Sequence, residues 1–146
     1  MSKPLAKLTR QQAVALLLDG VRLDVQDGAA VRDLLEQQFE AAVRHRSSEL
    51  TQLAEQLTPL LDTMEARRQQ RVSLVRALLG PQATMDAFFA TLDAGARGAA
   101  QAAWSELEAV VTACKAATTR NASLLAEQYT VMQRVLHGED GIYAPR

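Results

Sequence analysis

Apolar side chains recur at intervals of three and four along most of this 146-residue chain, and three stretches carry the pattern. The first runs from Ala29 to Arg44. Val31, Leu34, Leu35, Phe39, Ala42 and Val43 fall there on one helical face. Asp27, with Gly28 beside it, reads as the N-cap of that helix. The polar run Arg44 to Ser48 breaks the pattern, and Ser47 or Ser48 can cap the next helix. The second stretch runs from Ser48 to Leu79, with Leu50, Leu53, Leu57, Leu60, Leu61, Met64, Val72, Val75, Leu78 and Leu79 on one stripe. Pro59 removes a backbone donor, which predicts a kink or a restart with Thr58 as a local cap. Gly80-Pro81 predicts the end. A short apolar piece comes next, Met85 to Leu92, and Gly95 and Gly98 weaken the helical pattern after it.

The third stretch, from Ala99 to Leu136, is the strongest. Trp104, Leu107, Val111, Cys114, Thr118, Asn121, Leu125, Gln128, Met132 and Val135 keep three-four spacing through a helix of roughly 55 Å. Gly138 predicts its end, leaving residues 139–146 as a flexible tail. Before Asp27 the pattern is mixed. Gln11 to Asp19 suits a short helix, while Val21 to Val25 alternates like an extended segment. Residues 1–27 therefore read as an N-terminal extension with no single structure assigned. Long helices with short connections predict an all-α fold, an elongated antiparallel bundle of three to four helices in a single domain.

Composition agrees: 48% of residues are hydrophobic but only 4% aromatic, and alanine and leucine favour helix. Sixteen basic against seventeen acidic side chains leave no broad cationic field for nucleic acid. The longest apolar run, Ala13 to Leu18, is far short of a membrane span, and Asp19 interrupts it. A single cysteine forms no intramolecular disulfide. A cytoplasmic protein is expected.

Catalytic constellations are missing. His45 and His137 stand far apart, each near a predicted helix end, where a cation complements the helix dipole. No helical metal-ligand pair and no glycine-rich phosphate loop occur, so neither metal nor cofactor is expected. Cys114 lies on the apolar stripe and reads as a structural thiol. The cluster Arg67, Arg68 and Arg71 has two readings: a solvated face, which its neighbour Glu65 supports, or a contact for an acidic partner.

The end of the third stretch is richer. Two adjacent apolar strips emerge, one of Leu125, Met132 and Val135, the other of Leu124, Val131 and Tyr129. Asn121 and Gln128 seam them. A stripe that wide suits either a partner helix or burial within the bundle or a homo-oligomer. Ile142 and Tyr143 lie in an otherwise polar tail, where a tyrosine offers area and a hydroxyl for docking.

Three segments together resemble the flagellar export chaperone family FlgN. They are Leu34 to Ala42, a leucine pair with acid and glutamine ahead of a small apolar run; Leu57 to Met64, with an arginine-rich turn and Leu78-Leu79-Gly80 after it; and Asn121 to Gln128, trailed by Gly141-Ile142-Tyr143. The resemblance implies a non-enzymatic cytoplasmic chaperone. It implies binding of the C-terminal segments of the hook–filament junction proteins FlgK and FlgL, which it keeps soluble and unassembled, and delivery to the export gate protein FlhA. Carried onto this chain, it places client binding at Asn121, Leu124, Leu125, Gln128, Tyr129, Met132 and Leu136, and gate docking at Ile142 and Tyr143. The alternative is a structural interaction module that self-associates through its long C-terminal helix.

Overall fold

The computed structural model describes residues 8–143, with side chains through His137. Four helices occur in order: α1, Arg10–Val43; α2, Ser47–Leu79; α3, Met85–Ala90; and α4, Ala94–Tyr143. The described residues are all-α, an up-down-up bundle with α1 in the middle. α1 packs along both α2 and α4, whose backbones scarcely approach each other.

Helix α1 starts far ahead of Asp27. Thr9 and Gln12 form a reciprocal capping box: the Gln12 amide donates to Thr9 Oγ1 at 3.1 Å and the Thr9 amide to Gln12 Oε1 at 3.0 Å. Asp27 is therefore mid-helix and not a cap, and Val21 to Val25 is helical and not extended. Gly28 does not break the helix because α4 runs against it. A Cβ there would collide with the Val110 side chain. The glycine costs α1 about 1 kcal/mol of helix propensity but lets two helices meet closely.

The α1–α2 corner is a Schellman turn. His45 occupies the left-handed region (φ 55°), the His45 amide donates to the Ala42 carbonyl, and the Arg46 amide donates to that of Ala41. His45 is thus a turn residue just past the helix.

Pro59 does not restart α2, which is continuous. Thr58 bonds back to the Ala54 carbonyl at 3.0 Å and caps nothing. Pro59 and Glu55 both face solvent, so water can take the place of the missing helical donor. The defect still costs stability. Pro59→Ala should raise unfolding free energy by about 2 kcal/mol, read from the urea midpoint.

Two apolar clusters hold the bundle. At one end α3 wedges Phe88 and Phe89, each 1% exposed, against Ala13, Leu17, Leu74, Val75 and Ala100. Thr84 caps this short helix, and the Arg97 guanidinium gathers the carbonyls of Phe89 and Leu92 behind it. Asp93 caps α4 by accepting from the Ala96 amide, so Gly95 and Gly98 lie inside the helix. Toward the other end Val31, Leu34, Leu35, Leu53, Leu57 and Ala117 form the second cluster. Helix α4 also passes through Gly138 to Tyr143, which corrects the expected stop at Gly138. Gly138 and Gly141 cost the helix only about 1 kcal/mol each, and the next proline is Pro145. Residues 144–146 lie outside the described residues.

Candidate functional site

Helices α1 and α4 run parallel in a fixed register. Cys114 Sγ donates to the Gly28 carbonyl at 3.4 Å, Asn121 Nδ2 to that of Leu35 at 2.8 Å, and Gln128 Nε2 to that of Ala42 at 2.8 Å. Donors and acceptors both advance by seven residues per step, with 86 residues between partners each time. A seven-residue repeat held over several turns is the signature of coiled-coil packing. Buried Leu107, Val110 and Ala117 fill the same seam.

Each rung has its own chemistry. Burial pushes the Cys114 thiol up from its usual value, against a lesser pull from Arg32, so it keeps the proton it donates. Asn121 is 1% exposed and saturated. Its amide nitrogen also reaches Gln38 at 2.7 Å, and its oxygen accepts from Arg120, whose guanidinium lies 4.1 Å from the Phe39 ring centroid. Gln128 caps a carbonyl in the last turn of α1. Asn121 and Gln128 therefore lock α4 onto α1, with the Asn121 amide fully used within the fold and Gln128 contributing one bond from Nε2.

Helix α1 then stops. In the same register its last residue, Val43, stands opposite Tyr129 of α4. From Thr130 to Tyr143 the helix extends past α1, by roughly 20 Å. The seam pattern does not stop with α1. Leu124 is half-buried, and the next seam positions, Val131 and Val135, are both 56% exposed. One residue along lies a second strip: Leu125 (37%), Tyr129 (64%), Met132 (59%) and Leu136 (52%). Six large apolar side chains exposed together on one helix end make this face a candidate interaction surface. Of the sequence-selected client residues, the structure groups Leu124, Leu125, Tyr129, Met132 and Leu136 on this face and draws Asn121 and Gln128 under it. Val131 and Val135 join them. Their signal was the seven-residue step from Leu124 and Gln128. The side chains of Ile142 and Tyr143 lie outside the described residues.

The arginine cluster divides. Arg68 is solvated and clasps Glu65 through two bonds of 2.8 Å. Hydrogen bonds from Arg68 and Gln69 pull the Glu65 carboxyl down to about 2. Arg67 and Arg71, by contrast, turn inward, which corrects their reading as a solvated face. Arg71 donates to Asp24 Oδ2 at 2.8 Å and Arg67 to Asp24 Oδ1 at 3.0 Å and to Asp27. Burial works against the Arg67 charge, but its bonds to Asp27 and Asp24 outweigh that and raise its pKa. The Arg71 guanidinium also lies 5.4 Å from the Trp104 ring centroid. Asp24, 1% exposed, thus ties α2 to α1 between the two apolar clusters, and Arg71 carries the tie on to α4.

No group of His, Cys, Asp or Glu among the described residues is placed to hold a metal, and no described helix is long and apolar enough to cross a membrane. Between α2 and α4, over α1, lies an open groove with a volume of about 600 Å³, lined by Leu61, Met64, Val111 and Cys114.

Compared with known proteins, residues 29–137, well over half of the chain, match the family described as FlgN protein. No curated protein and no solved structure matches the chain.

Proposed function

We propose, from the premise that this chain belongs to the FlgN family of flagellar assembly chaperones, that the projecting end of α4 holds the C-terminal segments of the junction proteins FlgK and FlgL in the cytoplasm before export. The observation that carries this reading is the double apolar strip, which continues a packed helical seam beyond the end of its partner helix. Leu124, Leu125, Tyr129, Val131, Met132, Val135 and Leu136 would cover the apolar face of a client segment. Such a segment, disordered when free, loses entropy as it orders, which keeps affinity moderate despite a large contact. Moderate affinity permits hand-over without nucleotide hydrolysis by this chain. Ile142 and Tyr143 are assigned to the gate protein FlhA, on the family resemblance and on their place at the far end of α4.

Calorimetric titration with a synthetic C-terminal segment of the FlgK-like protein from the same genome tests the reading. Saturable binding with a negative heat-capacity change is expected, because apolar surface leaves water. A well-folded protein that ignores the segment, and whose mass doubles with concentration, would instead be the self-associating module.

A further inference from the structure

We propose that the client segment docks as a helix parallel to α1, taking up the track that α1 leaves, with its N-terminal end at the α1–α2 corner and its C-terminal end toward Tyr143. The inference rests on the client reading and adds the partner's conformation, polarity and register to it.

The first ground is continuity. From Leu107 to Gln128, α4 offers one packing seam to one parallel helix. In the 86-residue register, Val131 and Val135 face the places that residues 45 and 49 would occupy if α1 ran on straight. It does not, because His45 adopts the left-handed conformation and turns the chain back into α2. The seam thus runs on without a helix from the described residues to cover it. A second helix on the same track meets the same seven-residue repeat, so it needs apolar residues at three-four spacing. The neighbouring strip of Leu125, Tyr129, Met132 and Leu136 widens the seat on one side.

Polarity is set by the helix end. The last turn of α1 carries the negative pole of its dipole, which the positive pole of α2, starting at Ser47, offsets only in part at this corner. Arg44 and Arg46 beside it are each engaged, with Glu40 and Glu49. A parallel newcomer brings its positive N-terminal pole to that end. An antiparallel one brings a second negative pole. The parallel arrangement also sets the client's C-terminal end beside the end of α4, leaving its remaining chain to depart at the corner.

Pulsed dipolar spectroscopy on the full chain tests this. In a Cys114→Ser background, one nitroxide is placed at Arg44→Cys. The other is placed at either the N- or the C-terminal end of an 18-residue synthetic FlgK-type segment. The N-terminal label should lie nearer Arg44, by roughly 20 Å, since 18 helical residues span about 27 Å. A nearer C-terminal label, or equal distances, overturns the parallel track. Val131→Asp with Val135→Asp should weaken the segment at least tenfold while the circular dichroism stays unchanged, because both positions are more than half exposed. Unchanged affinity in that variant places the segment elsewhere and also overturns the proposal. A segment that shows no heat of binding to the unsubstituted chain refutes the client reading itself, which separates the two failures.

Discussion

Replacing Asp24 with alanine should lower the unfolding free energy by about 3–5 kcal/mol. Asp24 is 1% exposed and accepts from both Arg67 and Arg71. The side chains of those arginines retain only 21% and 12% of their exposure. Without the carboxylate, Arg71 is left against the Trp104 ring alone, and Arg67 keeps Asp27 alone. A buried cation without its counter-charge costs far more than the pair contributes when intact. A small domain holds roughly 5–15 kcal/mol in all, so the variant should sit close to unfolding. Urea titration followed by circular dichroism measures it. The double variant Asp24→Leu with Arg71→Leu should recover much of the loss, because it removes the charge together with its partner. A cost under about 1 kcal/mol for Asp24→Ala alone would mean that the cluster is solvated and contributes no more than a surface ion pair.

Leu125→Asp with Met132→Asp should abolish client binding and leave folding intact. Both side chains are accessible in the free protein, so new carboxylates there remain in water and the melting temperature should move little. In the complex they would be covered. Two lost apolar contacts of about 1.5 kcal/mol each already amount to roughly a hundredfold in affinity, before the cost of desolvating two charges. Calorimetry with the same FlgK-type segment reads the loss. A variant that melts early would show instead that these residues are core, and an unaffected affinity would remove them from the site.

Much of this architecture could be read from periodicity. The three long helices, the corner at Arg44–Ser48 and the stop at Gly80-Pro81 all follow from local pattern and turn chemistry. The capping box of Thr9 and Gln12 was also visible as a Thr-x-x-Gln spacing, but two mid-helix glycines and a short alternation at Val21–Val25 competed with it. Periodicity found the apolar face of α4 but divided it differently. Trp104, Val111, Thr118, Leu125 and Met132 share the three-four spacing of Leu107, Cys114, Asn121 and Gln128. Packing on α1 also uses Val110 and Ala117, one residue earlier than Val111 and Thr118. A helix flanked on one side by a neighbour and on another by a groove carries two apolar columns, and spacing alone does not say which column is covered. The ion cluster was out of reach for a different reason. Asp24 and Arg71 are 47 residues apart, and only the pairing of α1 with α2 makes them neighbours.

The rungs between α1 and α4 have an evolutionary consequence. Their acceptors are main-chain oxygens, which any residue at positions 35 and 42 supplies. Side chains at these two sites can drift among shapes that still pack without moving the helices relative to each other. Asn121 and Gln128, as the donors, have no such latitude. Across descendants of this sequence, then, the two amides should persist while residues 35 and 42 vary, and correlated substitutions would point to side-chain partners such as Gln38, which also accepts from Asn121, and not to the main-chain contacts that set how far α4 extends.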